Sequence, residues 1–593
     1  MNKLSQLWHK IDESLLSGLL TVFLFLIPLY PKLPLVFITY TYVAIRLDDL
    51  FIAAIALVFL VQVLRKKVTL NRHMLKLFLL FWGAVFVSYF IAIALTHTII
   101  YRQVGFLHAL RRIEYMFIFF VAMSQIRKSA DFTKYLFAIA TSTFLVIIYG
   151  IGQRIAEFPS VSTMNPEFAK GHILFLTPEA RIASTFAGHY DLAAYLVFII
   201  PIMWGLYFVL HEKLTNLIES MFNLPKAVIR ITSDFLEKII HRIVSLTKLS
   251  HTFDDPLSQL RQEFEVHRQI INSTLLAGSV SILFLALSIK SFELIIGGTL
   301  LISLLTFIAI YKKQSAFAIL FLQCGSLFVL IQTASRSSFL AYIVSITLFL
   351  LLIKKFRYLA VILFITLLLS YHNKNLSERI GSTFQVRQFL VNEKTGEIFV
   401  LQKMRSDVLP AGSRVLVKVD NKKKNTSDEA QVKQEFLKKA SKAALLKNAK
   451  DASGAAQYTQ VQGIAPDISF DTRLRVEWPR AIGAFTKNPL FGTGVSTITE
   501  STDNDFLRWL GETGLFGTVT FLYILLTIAH QVFEMAKSAE PKMKPLFFGF
   551  LFGLLGLAIN ALYIDVFEAS KVAYMFWATC GLFSGLYFLD QNS

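Results

Sequence analysis

The sequence predicts an all-α integral membrane protein with about fourteen transmembrane helices. Of its 593 residues, 54% are hydrophobic and only 17% are charged, whereas soluble chains carry about 25% charged residues. Apolar stretches close to the ~20 residues that cross a bilayer recur along most of the chain. Lys and Arg cluster in short loops between these stretches, as they do in membrane proteins. The net charge of +19 therefore indicates a membrane and no nucleic-acid partner.

The basic loops also predict the orientation of the helices. The first apolar stretch is expected to be a retained span, because no small-residue cleavage pattern follows it. If the N-terminus is inside, five basic segments become cytoplasmic, and both termini are then expected in the cytoplasm. These segments are residues 65–67, 127–128, 312–313, 354–357 and 537–544. The apolar cores of the predicted spans lie near residues 16–37, 48–64, 74–95, 111–126, 133–152, 190–210, 272–289, 292–311, 314–333, 337–353, 357–372, 508–533, 545–564 and 570–588.

Three long connections divide the chain into predicted regions. N-terminal transmembrane helices (1–210) include an external loop at 153–189, and a cytoplasmic amphipathic insert (211–271) follows. Central transmembrane helices (272–372) lead into a large external loop (373–507), and C-terminal transmembrane helices (508–593) end the chain. Strand-like alternation and a Lys/Ala-rich stretch predict an inserted, small α/β-like module at 385–465 within the large loop. Residues 470–507 are expected to form a catalytic loop.

No nucleotide-binding, nucleophile-elbow or paired metal-histidine motif is present, which argues against ATP-driven transport and zinc hydrolysis. Cys324 and Cys580 each lie in an apolar stretch, where a thiol behaves as a small hydrophobe. We therefore expect no metal and no cofactor. Polar motifs on the external side remain as candidates for chemistry.

The first motif surrounds Arg181 and continues through His189, Tyr190 and Asp191 into a span. A guanidinium group just outside the bilayer offers two parallel donors to a phosphate. Alternatively, Asp191 caps the helix and Arg181 only reaches lipid phosphates.

The second motif is the segment 333–341, a tight external hinge in which small hydroxyl residues surround Arg336. Free N–H groups at the start of a helix and one guanidinium favour an anion. Alternatively, these side chains only satisfy the exposed backbone of the hinge.

The third motif contains Arg473, Arg475, Trp478 and Arg480 and continues to Asn488-Pro-Leu-Phe-Gly-Thr-Gly494. The fourth motif begins at Asp503 and Asn504 and runs to Gly517. A carboxylate and an amide at the outer start of a span could activate a sugar hydroxyl while arginines hold a phosphate leaving group. Alternatively, Asp503 or Asp505 caps the helix and the arginines form ion pairs at the rim.

Glu114 is a further ionisable residue in or beside a span, next to Arg111 and Arg112. Charge within a membrane is a hint of function. Ion pairing at the head-group level is the alternative, and Glu114 is also a candidate for lining a groove for lipid phosphates.

Together the four motifs resemble the O-antigen ligase and O-antigen polymerase superfamily of bacterial membrane proteins. The resemblance rests on Ser335-Arg336-Ser337 before a long apolar helix, on an Arg shortly before Trp478, and on Asn488-Pro-Leu-x-Gly-x-Gly. It also rests on the Asn504-x-aromatic-Leu start of a Glu-x-Gly-Leu-x-Gly span. It covers most of the spans but neither insert.

The resemblance implies an inverting, metal-independent glycosyltransferase of the plasma (inner) membrane with an extracytoplasmic active site. The donor is a glycan on undecaprenyl diphosphate, and the acceptor is a second glycan, a lipid or a protein hydroxyl. Arg181 and Arg473 (or Arg475) match the family's diphosphate-binding arginines. Arg336 matches the arginine of its hinge, and His189, Trp478 and Arg480 accompany these residues as candidate substrate contacts.

One departure from the family pattern favours a polymerase over a ligase. Ligases of the family carry His-Asn where this chain has Asp503-Asn504, and an Asp with an ordinary pKa of ~3.9 is a weaker base than His. A transporter of the same lipid-linked glycans is the rival from another class. It would be expected to show repeated halves and ionisable pairs near the midplane. A non-catalytic envelope scaffold would leave the arginines dispensable.

Overall fold

The computed structural model describes residues 3–37, 44–68, 70–163, 168–177, 180–210, 315–381, 384–392, 398–400, 415–416, 458–466, 473–498 and 502–591. The predicted spans at 272–289 and 292–311 lie outside the described residues. So do the predicted insert at 211–271 and most of the module at 385–465.

The N-terminal part is built from six helices with short strands between them. The helices are α1 (Lys3–Leu29), α2 (Leu47–Leu64), α3 (Arg72–Ala94), α4 (Arg102–Ser124), α5 (Ser129–Ile155) and α6 (His189–Leu210), and the strands are β1 (Pro34–Phe37), β2 (Ala44–Arg46), β3 (Ser160–Val161) and β4 (Ile173–Leu176).

The described C-terminal part is also dominated by helices. They are α7 (Ser315–Gln332), α8 (Arg336–Leu352), α9 (Phe356–His372), α10 (Lys374–Gly381), a π-helical turn at Arg473–Glu477, α11 (Trp478–Lys487), α12 (Asp505–Ser538), α13 (Lys544–Ala561) and α14 (Ser570–Gln591). The strands are β5 (Phe384–Asn392), β6 (Ile398–Val400), β7 (Val415–Leu416) and β8 (Tyr458–Pro466).

These elements confirm a mostly helical membrane protein. Among the described residues, seven helices are long and apolar enough to cross a bilayer: α2, α3, α5, α6, α12, α13 and α14. Shorter apolar helices lie at 14–29, 319–332, 336–352 and 356–372. Each predicted span within the described part overlaps one of the helices named above. The first predicted span, 16–37, is helical only to Leu29, because Pro31 and Pro34 cannot continue a helix and β1 follows.

Close backbone contacts hold two helix pairs together. A side chain at Gly553 of α13 would meet the carbonyl oxygen of Phe198 in α6. Likewise, a side chain at Gly581 of α14 would meet the carbonyl oxygen of Phe119 in α4. Small residues at such crossings allow backbones to approach within the bilayer, where packing drives association. Consequently α6 and α14 are almost completely buried.

Helix α12 is broken near its N-terminal end, and the third motif fills the break. Gly514 has φ +65° and ψ −166°, which interrupts the helical path. Broken helices in membranes need other partners for their backbone groups. The loop at 488–494 supplies them through four backbone hydrogen bonds of 2.8–3.1 Å: Leu515 to Pro489, Phe516 to Leu490, Thr493 to Gly511 and Gly494 to Glu512. The Asn-Pro-Leu-x-Gly-x-Gly and Glu-x-Gly-Leu-x-Gly segments are therefore one interlocked unit.

Antiparallel strands lie at both ends of the predicted inserted module. Strand β5 pairs with β8 from Phe384 opposite Pro466 to Asn392 opposite Tyr458, and β6 pairs with the other edge of β5. Strand β7 pairs with β4, in the loop at 153–189 that is predicted to be external, through Phe175 and Leu416.

Candidate functional site

Arg181, Arg336 and Arg379 form a basic cluster, here called the Arg181 group. Arg181 Nη1 lies 2.6 Å from His189 Nε2 and donates a 3.3 Å hydrogen bond to the Tyr190 hydroxyl. The Arg379 side chain also hydrogen-bonds Tyr190. Burial, with the nearby Arg379 and Arg336 charges, lowers the pKa of Arg181 even though Tyr190 opposes the shift. The cluster is therefore a concentrated positive charge that an anion would stabilise.

Hydrogen bonds to backbone carbonyl groups bring the members of the Arg181 group together. Arg336 is the first residue of α8, and its Nη1 donates to the carbonyl of Arg379 at 3.1 Å. Arg379 lies in the short helix α10, and its Nη1 donates to the carbonyl of Ala334 at 3.1 Å. The first and second motifs thus meet, as Ile182 N–H also bonds the carbonyl of Gln332 at 3.3 Å.

Arg473 and Asp503 form an ion pair that links the third and fourth motifs. Arg473 Nη2 lies 2.5 Å from Asp503 Oδ2, and the guanidinium carbon lies 4.3 Å from the centre of the Tyr563 ring. Arg473 is 5% exposed, whereas the Asp503 side chain is 27% exposed. Asp503 is thus the more accessible partner. We call Arg473, Asp503 and Tyr563 the Arg473 group.

Asn504 caps α12. Its side-chain oxygen accepts a hydrogen bond from Leu507 N–H at 3.0 Å, and its amide nitrogen donates to the carbonyl of Leu562 at 3.0 Å. The capping expected of Asp503 or Asp505 is therefore performed by the residue between them. Asp503, at φ +50°, occupies the left-handed region instead.

Asp565 anchors the backbone that carries Asp503. Its carboxylate accepts hydrogen bonds from the N–H groups of Thr502, Asp503 and Asn504 at 2.9–3.1 Å, and it pairs with Arg508 Nη2 at 2.8 Å. Burial alone would raise the pKa of Asp565, but Arg508 and these N–H groups hold it below its ordinary value. The carboxylate therefore stays ionised at neutral pH and fixes the start of α12.

The same loop receives a second carboxylate. Asp505 accepts from Val566 N–H at 2.6 Å and from Phe567 N–H at 3.1 Å. The segments 502–505 and 565–567 are thus cross-bonded in both directions, since each supplies a carboxylate to the other's backbone.

A buried charge network lies beneath this pair of segments. Arg112 of α4 contacts Glu512 at 2.5 Å and Glu568 at 3.0 Å, while Arg508 lies 3.8 Å from Glu512. Burial would raise the pKa of Glu568, but Arg112 and Arg508 lower it overall. Buried charges of this kind require their partners, so the network ties α4, α12 and the loop after α13 into one arrangement.

Asn560 connects the hinge motif to the same loop. Its amide nitrogen donates to Ser338 Oγ at 3.1 Å, and Ser338 Oγ lies 2.8 Å from Ser335 Oγ. Asn560 is followed by Leu562, Tyr563 and Asp565, which contact the fourth motif and Arg473. Residues 560–568 are predicted to be external and are here called the last external loop. They contact both the Ser335–Ser338 hinge and the Arg473 group.

The remaining predicted residues lie at different places. Trp478 begins α11 and is half-buried, and Arg480 is exposed on the same helix. Arg475 lies on the π-helical turn, and its side chain is outside the described part of the chain. Glu114 accepts a 2.6 Å hydrogen bond from the Tyr574 hydroxyl between α4 and α14.

Several residues of this arrangement were not identified from the sequence. Arg379 follows a predicted span without a motif of its own, and Asp565 and Glu568 lie in the short connection between the last two predicted spans. Asn560 and Tyr563 lie near the end of an apolar stretch. A polar residue near the end of an apolar stretch was the only feature of the sequence that could have pointed to Asn560 and Tyr563. Within the described residues, no group of His, Cys, Asp and Glu could hold a metal ion.

Comparison with family models identifies a related segment of the chain. A family model described as O-antigen ligase matches residues 320–522. No curated protein matches the chain. The matched segment contains Arg336, Arg379, Arg473 and Asp503, whereas Arg181 and the last external loop lie outside it.

Proposed function

We propose that the protein is a glycosyltransferase of the O-antigen ligase and polymerase superfamily that joins undecaprenyl-diphosphate-linked glycans. The match of residues 320–522 to the O-antigen ligase family model supports this proposal. The reaction takes place at the extracytoplasmic face of the plasma membrane, and the enzyme is polymerase-like. The observation that carries the proposal is the joining of the hinge motif and the Asp503 motif by the last external loop.

The Arg181 group is proposed to bind the donor diphosphate. Three guanidinium groups lie close enough for burial and mutual repulsion to lower the pKa of Arg181, and a diphosphate would neutralise this charge. Arginine suits the task because its planar fork donates two parallel hydrogen bonds to phosphate oxygens. His189 holds Arg181 in place through the 2.6 Å contact.

Arg473 is proposed to act at the reacting end of the donor. In the structure its charge is paired with Asp503. When a glycosyl diphosphate binds, Arg473 can share its charge with the phosphate next to the sugar, which frees Asp503 to accept a proton. Arg475, Arg480 and Trp478 are proposed to contact the glycan.

In the proposed reaction, the acceptor hydroxyl oxygen attacks the anomeric carbon of the donor sugar. Asp503 accepts the hydroxyl proton, and the bond between the anomeric carbon and the phosphate oxygen breaks. The undecaprenyl diphosphate leaves with the electron pair, and the Arg181 group stabilises its charge. Asn504 positions Asp503 through the helix cap. The sugar–phosphate bond itself supplies the driving force.

A ligase that transfers the glycan to a lipid or protein is the second candidate, favoured by the description of the matching family. The two activities differ in their acceptor. Asp503, in place of the histidine expected of a ligase, favours the polymerase.

Reconstitution in liposomes with lipid-linked glycans from the host tests the proposal. Wild type should produce a ladder of lengthened glycans on a gel, and Arg181→Ala and Asp503→Ala should each abolish it. Arg102→Ala, at an exposed position that begins α4, is the matched control and should leave the ladder intact. A single transfer to an added acceptor would establish the ligase. Translocation without a new linkage would refute both and establish a transporter.

A further inference from the structure

A cavity of about 500 Å³ lies at the other end of the helices, away from the candidate site. It is bordered by the loop between α2 and α3, the end of α4 and the end of α14. Two helix connections and the end of α14, all of which the charge pattern predicts to be cytoplasmic, therefore meet around one space.

Positive charge surrounds this cavity. The cavity is lined by Lys67, Arg72 and Arg127, and all three residues are exposed. Lys67 and Arg127 lie in basic loops, and Arg72 is the first residue of α3. Asp131 is the carboxylate nearest in sequence to Arg127, and its Oδ2 accepts hydrogen bonds at 3.1 Å from the backbone N–H groups of Arg127 and Lys128. Asp131 lies in the first turn of α5 and does not line the cavity, whose described lining contains three cations and no carboxylate.

The deeper wall is apolar. Met123, Ile126, Phe588 and Leu589 line the cavity beside the basic side chains. Met123 and Ile126 are buried, and Phe588 and Leu589 are half-buried. A cavity with cations on one side and apolar side chains on the other suits a ligand that has both a phosphate and a hydrocarbon part, as anionic lipids do.

We propose that this cavity binds the phosphate head group of an anionic phospholipid. The head group lies against Lys67, Arg72 and Arg127, and the first part of an acyl chain lies along Phe588 and Leu589. Such a lipid would hold the end of α14 against α4. The two backbones are already close there, because a Cβ added at Gly585 would lie 2.7 Å from the carbonyl oxygen of Met123. The proposal does not depend on the reaction catalysed at the other end of the helices.

Native mass spectrometry of the full chain in lipid nanodiscs or mild detergent tests the site. Wild type titrated with phosphatidylglycerol should retain this lipid in preference to phosphatidylcholine, and its melting temperature should rise with the bound fraction. Neutralising Lys67, Arg72 and Arg127 to Gln should weaken retention by about fivefold for each charge removed. Arg357→Gln, a basic residue of another predicted cytoplasmic loop, is the matched control and should behave as wild type.

Two further measurements separate loss of lipid binding from loss of folding and the apolar contact from the charge. The triple variant must elute as a single species with wild-type helical content, so that lost lipid binding is not lost folding. Phe588→Ser should weaken retention of the lipid without altering the charge of the cavity. Equal retention of phosphatidylglycerol by wild type and the triple variant would overturn the proposal. Stabilisation by inorganic phosphate alone, equal to that by the lipid, would also overturn it in favour of a free-phosphate site.

Discussion

The Oδ2 atom of Asp565 lies 3.1 Å from the backbone nitrogen of Asp503 and accepts its hydrogen bond. Asp503 adopts φ +50°, a conformation that costs a non-glycine residue about 1 kcal/mol. The bonds from Thr502 and Asn504 to the same carboxylate stabilise this conformation. Asp565 therefore determines where the carboxylate proposed to accept the proton is held.

Replacing Asp565 by Asn should impair catalysis more than substrate binding. The amide cannot accept three N–H groups with a full negative charge, and it leaves buried Arg508 without its 2.8 Å partner. We expect kcat to fall by at least about tenfold with little change in KM, since positioning acts on the transition state. Steady-state glycan transfer in liposomes measures this. Glu534→Gln, on the far end of α12, is the control, and an equal fall in that variant would contradict the prediction.

The contribution of Asp565 to stability should disappear in acid. Its pKa lies below the ordinary value of 3.8 in the folded protein, so the ionised form is favoured by folding. The stabilisation is then fully present above about pH 4 and is lost as the pH falls through the folded pKa. Melting temperatures in detergent should show wild type above Asp565→Asn at pH 6, with the gap narrowing below pH 4. A gap that is constant from pH 6 to pH 3 would contradict this assignment.

Arg473 and Asp503 should be energetically coupled. Each single Ala variant removes the 2.5 Å ion pair and leaves the other charge behind, and Arg473 is almost fully buried. In a double-mutant cycle of unfolding free energies we expect a coupling of about 1–3 kcal/mol. The pair Arg102→Ala and Asp503→Ala is the control cycle and should be additive. Additivity in the Arg473 cycle would show that the pair contributes nothing.

Arg379 should matter for donor binding although it lacks a sequence motif. Removing it takes one guanidinium from the Arg181 group and one hydrogen bond from the carbonyl of Ala334. We expect Arg379→Ala to raise KM for the lipid-linked donor by about tenfold or more, and Arg379→Lys to recover only part of it. Transfer rates at varied donor density give the values, with Arg102→Ala as the control. Unchanged donor KM in Arg379→Ala would remove Arg379 from the site.

The interlocked break in α12 should tolerate no side chain. At Gly492 (φ +73°) an added Cβ would meet the backbone of Glu512, and at Gly514 (φ +65°) it would meet the backbone of Leu490. Gly492→Ala and Gly514→Ala should each destabilise the protein by about 2–4 kcal/mol. Gly483→Ala, where nothing lies within 4 Å of the new Cβ, is the matched control and should be neutral or slightly stabilising in α11. Thermal unfolding in detergent compares the three variants.

The membrane class and the helices of the described part follow from apolar length and basic loops, because the bilayer imposes both constraints on every span. The end of α1 was misplaced, since a window of hydropathy does not register Pro31 and Pro34. The structure brings Arg181 and Arg336 together across the first and second motifs, and their role in anion binding stays a prediction.

The contacts between motifs were beyond prediction from the sequence. Asp565 was not identified as a site residue, because nothing in a single sequence shows that its carboxylate meets the N–H groups of residues 502–504. Capping was expected of Asp503 or Asp505, since all three neighbouring side chains are good caps, and only the backbone path selects Asn504. Arg379 was missed because its partners, Tyr190 and Ala334, are distant in the chain.

The last external loop lies beyond residue 522, where the match to the family model ends. Its position matters for any chimaera made between this protein and a relative. A chimaera that swaps only residues 320–522 would bring in a new start of α12 while keeping the old residues 560–568 that bond its backbone. Unless both pieces come from one parent, their carboxylates and N–H groups need not match. A chimaera is therefore expected to acquire the acceptor preference of the donor parent only when the C-terminal helices, with residues 560–568, are exchanged together with residues 320–522.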